Sequence, residues 1–186
     1  MPQSKIEQVC HKLQAHVQQQ LNSAQKVEVG IIDDAEVATY ASYVEFGWVQ
    51  RVTAKQAGWF IGQGVDHPPK VGSALVNPAR PFLRATAAAC GKKWAQVFER
   101  TIKAGGVDAL PTALQLVGMQ ASGDVKQTLI NGGTERDSFN PRSGLTMELY
   151  AQEAAGHSTD GTGNLETDKP LVKTGTLLNA IGFQIS

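Results

Sequence analysis

Net charge is absent from this sequence, where 17 Lys and Arg balance 17 Asp and Glu. Phosphate-backbone binding relies on clustered positive charge, so the balance argues against a dedicated nucleic-acid binder. Cysteine is scarce. Cys10 and Cys90 stand far apart, each in a predicted helix, which points to a reduced protein made in the cytosol and not to a Cys10–Cys90 disulfide. Long apolar runs are missing too. The opening MPQSKIEQVCHKLQ breaks its apolar positions at every turn, unlike a signal peptide, and no run is long enough to cross a bilayer. No segment repeats at the periods of about 20 to 50 residues that mark solenoids.

The signatures of chemistry are lacking as well. His11 and His16 lie near Cys10, but a five-residue spacing on a helix points them to different faces, so surface histidines beside a buried cysteine account for the cluster better than a zinc site. His67 and His157 sit in loops with no nucleophile and acidic partner beside them. GTGN, SGDVK and IGQG are not strand-to-helix glycine loops followed by Lys-Ser or Lys-Thr. Asp33 and Asp34 fit a turn and a helix cap better than a cation loop. The expectation is a protein that is not an enzyme, with no catalytic residue, cofactor or metal site.

What is present is the material of one globular domain over residues 1–186, 41% hydrophobic and 18% charged, with 19 glycines that imply several turns or loops. Ile6, Val9, Leu13, Val17 and Leu21 recur at helical spacing within Ser4–Ala24. KVEVGII alternates as a strand. AEVATYASYVEFG reads as a helix with Val37, Tyr40, Val44 and Phe46 on one side and Gly47 as its stop. WVQRVT and GWFIG are predicted to pair as strands around AKQAG, followed by the turn-rich GQGVDHPPKVGS, so that residues 48–77 project as a hairpin and loop.

Beyond Pro78 and Pro81, a long helix carries Leu83, Ala87, Cys90, Trp94, Val97, Phe98 and Ile102, ending at Gly105-Gly106. Another runs from near Asp108, with Pro111 in its first turn, to Asn131-Gly132-Gly133. Residues 134–170 read as a long flexible loop with one short helix over Thr146–Ala155. In LVKTGTLLNAIGFQIS, Thr176 is placed to cap a helical turn and Ile181, Phe183 and Ile185 form a closing strand. The sum is an α+β fold, a small antiparallel sheet packed against two or three long helices. Trp48, Trp59 and Phe60 suit a partner contact or the packing of the hairpin on its own domain.

Three pieces, YASYVEFG at 40–47, NPARPFLRAT at 77–86 and DKPLVKTGTLLNAIGFQI at 168–185, together resemble the tail-completion, or head-tail joining, family of long-tailed double-stranded DNA bacteriophages. Their order agrees along nearly the whole chain, although the stretches between Gly47 and Asn77 and between Thr134 and Lys169 are long for a relative. In physical terms Arg80-Pro81 sets the approach to a helix, Phe82 and Leu83 anchor its first turn, and Gly47 and Gly175 suit positive-φ or close-approach positions. Arg80 and Phe82 are also candidates for partner contact.

The resemblance implies a structural virion protein of the phage neck, located in the virion and in the host cytoplasm during assembly. It implies a ring, six-fold like such tails, bound to a head-closure or connector protein and to a tail terminator or tail tube protein. DNA would pass through the lumen without specific binding, leaving Lys92, Lys93, Arg100 and Lys103 on a solvent or neighbour-facing side. A tail terminator or minor tail protein is the alternative within the virion; a small hydrolase or a host-binding adaptor is the alternative of another class.

Overall fold

The computed structural model describes residues 25–154 and 175–186, without the side chains of residues 153 and 154. The helix expected over Ser4–Ala24, with Cys10, His11 and His16, lies outside the described residues, as do residues 155–170 of the late loop. The described residues form an α+β fold in which long helices pack on a small antiparallel sheet.

Strand β1 (Val27–Ile31) pairs antiparallel with β4 (Ile181–Ile185), from Val27 opposite Ile185 to Ile31 opposite Ile181. The two-residue period puts Val29, Ile31, Ile181 and Phe183 on one face. Helix α1 (Ala35–Phe46) starts where expected, because Asp34 Oδ1 accepts the Val37 N–H at 2.9 Å. Val37, Ala41 and Val44 turn inward from it. Tyr40 and Phe46, expected on the same side, are instead 54% and 65% exposed.

The predicted pairing of WVQRVT with GWFIG does not form. Strand β2 (Trp48–Arg51) pairs antiparallel with β3 (Ala74–Asn77), and the second predicted strand lies inside helix α2 (Ala54–Gly62). The cause is a capping box: Thr53 Oγ1 accepts the Gln56 N–H at 3.2 Å, and Gln56 Oε1 accepts the Thr53 N–H at 2.9 Å. Two donors of a nascent first turn are thereby satisfied, and Ala57 and Phe60, three apart, bury one helical stripe. The β2–β3 pair is thus a hairpin with a helix in its connection.

Helix α3 (Phe82–Gly105) and helix α4 (Leu110–Asn131) form a helical hairpin joined through a single 3-10 turn at Val107–Ala109. Gly132 ends α4 in the left-handed conformation, with φ of 71°. Buried Thr86 and Thr128 hydrogen-bond across the helices at 2.7 Å. Asp124 on α4 accepts from Trp94 Nε1 at 2.7 Å and from Lys93 Nζ at 3.0 Å on α3. The β1–β4 sheet lies on α4 at Gly118, where an added Cβ would come within 2.2 Å of the Phe183 ring. Helix α6 (Thr176–Ala180) follows Gly175, whose φ is 71°; Thr176 is its first residue and not its cap.

The main core joins Ala41, Val44, Phe82, Val125, Leu129, Leu177 and Ile181. Phe82 has no exposed surface, so its expected role in partner contact does not hold: it fills the junction of α1, α3, α4 and α6.

Pro81 leaves α3 without a side-chain cap of its own, and Glu45 supplies one from α1. The Glu45 carboxylate, 3% exposed, accepts the Leu83 N–H at 2.9 Å, the Arg84 N–H at 3.1 Å and Arg84 Nε at 2.9 Å. An anion at a helix N-terminus meets both unsatisfied donors and the positive end of the helix dipole. Arg84 closes over the same turn, donating to the Glu45 carbonyl at 3.0 Å and lying 4.7 Å from the centre of the Phe46 ring. Gly47 makes the approach possible. Its φ of 70° and ψ of 175° suit glycine almost alone, and a Cβ there would stand 2.6 Å from the Ala79 nitrogen.

The stretch 134–170, expected as a flexible loop, is structured over its described part. Gly133 bridges to Ser138, Phe139 N–H donates to the Gly132 carbonyl at 2.8 Å, and helix α5 (Gly144–Ala154) matches the short helix expected there.

Candidate functional site

An open cleft of about 750 Å³ lies between the β2–β3 hairpin, the C-terminal part of α1, and helix α5 with the turn before it. Arg80 holds these pieces in place. Its guanidinium donates to the Asn140 carbonyl, the Pro141 carbonyl and Asn77 Oδ1, each at 3.0 Å, so one side chain ties the 140–141 turn to the end of β3. Its own N–H donates to the Val44 carbonyl at 2.8 Å, fixing it to α1 as well.

Five of the described lining residues are aromatic. Trp48 and Phe60 come from the hairpin and its helix, Tyr40 and Tyr43 from α1, and Leu149 and Tyr150 from α5. Phe60 is 6% exposed and so closes the inner end, whereas Tyr43 is 53% exposed at the rim. Helix α5 is held against the hairpin connection by Glu148, which accepts the Asp66 N–H. Arg142 lies 4.9 Å from the centre of the Tyr150 ring, within cation–π distance.

Among the described lining residues the charge has one sign. Arg80 and Arg142 line the cleft, and no Asp or Glu is among the described lining residues. Arg80 is 6% exposed, and no carboxylate of the described residues is within ion-pair distance of it. Burial draws its pKa below the ordinary arginine value, with Tyr40 and Tyr150 opposing and Arg142 adding to the shift; the group remains a cation at neutral pH.

Of the residues singled out from sequence, Trp48, Phe60 and Arg80 come together here, and Trp59 and Phe82 do not. Trp59 is 53% exposed outside the cleft, its ring edge-on to Phe60 at 5.1 Å. Tyr40, Tyr43, Arg142, Leu149 and Tyr150 are additions. Tyr40 and Tyr43 carried a sequence signal, since a phenolic tip favours a position with one end wet. The residues around α5 carried none, because only the fold brings them to the hairpin.

The other candidates stay apart. Asp34 caps α1, His67 is exposed, and no group of three or more His, Cys, Asp or Glu converges on a metal-sized site among the described residues. The Cys90 thiol is pushed up in pKa by burial and by Asp124, which keeps it protonated and weakly nucleophilic. Among the described residues no helix is long and apolar enough to cross a membrane. No protein-family model, curated protein or solved structure matches the chain.

Proposed function

We propose that the chain is a non-enzymatic structural protein of the neck of a long-tailed double-stranded DNA phage, similar to tail-completion proteins, acting as a six-fold ring between the connector and the tail. One observation carries the reading: the three motifs of the resemblance meet in one buried junction. Val44, Glu45 and Gly47 of the first interlock with Arg80, Phe82 and Arg84 of the second, and Leu177 and Ile181 of the third complete the same core. Chance likenesses would scatter over unrelated surfaces. Motifs that pack on one another are a scaffold's signature, and they leave the outward surfaces to bind neighbours.

A cyclic ring places two different faces of each subunit in contact, and the aromatic cleft supplies one suitable face. Lys92, Lys93, Arg100 and Lys103 are exposed along α3, where Lys93 pairs with Asp124 and Lys103 with Glu99. In the ring they face solvent or a neighbour and leave the DNA path without a basic wall that would retard sliding.

The test is the particle mass in solution, with and without connector and tail proteins, followed by a virion reconstruction. The expected result is a six-membered ring at the neck. A monomer on the tail exterior, or a lumen lined by the basic face of α3, overturns the proposal.

A further inference from the structure

We propose that the peptide bond between Asn140 and Pro141 is a site of self-cleavage, in which the Asn140 side-chain amide attacks its own backbone carbonyl and Arg80 stabilises the oxyanion. This is a rearrangement of the chain and not the turnover of a substrate, so it stands whether or not the chain belongs to a phage neck.

The residue pair supplies the first reason. An asparagine side-chain amide is ordinarily open to attack by the backbone nitrogen of the next residue, but the proline nitrogen carries no hydrogen and that route is closed. The reaction left to the same groups is attack by the side-chain nitrogen on the backbone carbonyl. The chain has two such pairs, Asn77-Pro78 and Asn140-Pro141, and they are held differently. Both ends of the Asn77 amide are engaged: Oδ1 accepts from Arg80 at 3.0 Å and Nδ2 donates to the Tyr43 carbonyl at 3.5 Å. Asn140 is exposed, and its side-chain amide makes no hydrogen bond among the described residues.

The setting of the carbonyl supplies the second reason. Arg80 Nε donates to the Asn140 carbonyl oxygen, the atom on which negative charge develops, from a guanidinium only 6% exposed. A preorganised cationic donor away from water is what stabilises such an oxyanion. The guanidinium is kept there by its bonds to the Pro141 carbonyl and Asn77 Oδ1. On the other side, the Phe139 N–H is bonded to the Gly132 carbonyl at 2.8 Å. The electrophile is thus fixed while the nucleophile is left unbound.

In the reaction, hydroxide removes a proton from Asn140 Nδ2, and the nitrogen bonds to the Asn140 carbonyl carbon. The oxyanion then collapses by breaking the bond to Pro141, whose nitrogen takes a proton from water. A succinimide remains at residue 140, and water opens it to asparagine or isoasparagine. The C-terminal part stays attached, because β4 is paired with β1 and Leu177 and Ile181 lie in the core. Cleavage is therefore read after denaturation.

The experiment incubates the purified full chain for several days at neutral and mildly alkaline pH, denatures it and weighs the products by mass spectrometry. The expected fragments are residues 1–140, in part lighter than the free acid by one water, and residues 141–186. They should form faster as pH rises and at a rate independent of protein concentration. Asn140→Ala, at an exposed position, is expected to abolish them, and Arg80→Met to slow them about a hundredfold, as for loss of an oxyanion donor. Circular dichroism establishes that the variants fold. If Arg80→Met does not fold, the wild-type chain in urea carries the test, with cleavage expected to be about a hundredfold slower than in the folded chain. Absence of the fragments overturns the proposal. So does cleavage that persists in Asn140→Ala, that keeps its rate in folded Arg80→Met or in urea, or that is as fast between Asn77 and Pro78.

Discussion

Replacing Glu45 by Ala is expected to destabilise the fold by about 3 kcal/mol, in the range of lost charge-assisted bonds that leave buried donors unsatisfied. The magnitude follows from three bonds of unequal value. The Leu83 and Arg84 backbone N–H groups open a 24-residue helix whose own cap residue, Pro81, provides no side-chain acceptor. The Arg84 side chain, 59% exposed, can return to water when its partner is lost. Arg84→Ala is therefore expected to cost at most about 1 kcal/mol, as for exposed ion pairs. Glu45→Gln, which keeps the shape and one acceptor but loses the charge, falls between at about 1 to 2 kcal/mol. For a chain of this size the Ala variant should melt about 6 to 12 °C lower. Urea unfolding of the three variants and of the double variant separates capping from ion pairing. A cost below about 1 kcal/mol for Glu45→Ala, or an Arg84→Ala cost equal to it, would refute the assignment of Glu45 as the cap of α3.

Gly47→Ala should cost about 2 kcal/mol or more, because it adds an unfavourable backbone region to a backbone overlap; an unchanged thermal midpoint would refute that. Gly118→Ala gains helix propensity but drives a methyl into the Phe183 ring, with an expected net loss of about 1 to 3 kcal/mol that Phe183→Leu should partly relieve. Replacing residues 49–76 by an Asn-Gly turn should leave the main core folded, since none of its residues comes from that segment and Trp48 and Asn77 are cross-strand partners; loss of cooperative unfolding would count against it. Burial alone would raise the Asp124 pKa, but bonds from Trp94, Lys93 and Gln120 hold it below the ordinary value. Its stabilising contribution is thus complete above the unfolded carboxylate pKa of about 4 and is lost as pH falls through the lower folded value, so the stability gap to Asp124→Asn should narrow there. A gap that is constant or widens with acid would exclude this linkage.

Much of the fold was legible wherever local chemistry and periodicity agreed. Asp34 and Gly47 bracket α1, Pro111 and Gly132 bracket α4, and the alternation through Ile181, Phe183 and Ile185 marks β4. The failure at Trp59-Phe60 had a local cause: three apolar residues between glycines resemble a strand, but the Thr53-Gln56 capping box had already committed the segment to a helix. Tyr40 and Phe46 went to the wrong side because a half-exposed aromatic satisfies the same periodicity as a buried aliphatic. The cleft was legible only in pieces. Trp48, Phe60 and Arg80 stand out as residue types, but their meeting with Leu149 and Tyr150 depends on Arg80 holding the 140–141 turn, a contact spanning some 60 positions that no local pattern encodes.

The pairing of β1 with β4 also bears on the order in which the molecule can form. Val27 waits for Ile185, and Val125 and Leu129 wait for Leu177 and Ile181 to cover them. At ribosomal rates of about 5 to 20 residues per second, roughly 10 to 30 s separate the synthesis of the two strands, and closing so large a loop is entropically slow. Throughout that interval the α3–α4 hairpin can form from local contacts while the face of α4 that receives the sheet stays bare. A nascent chain in this state is vulnerable to association through that face, and completion of residue 185 is the event that ends the vulnerability.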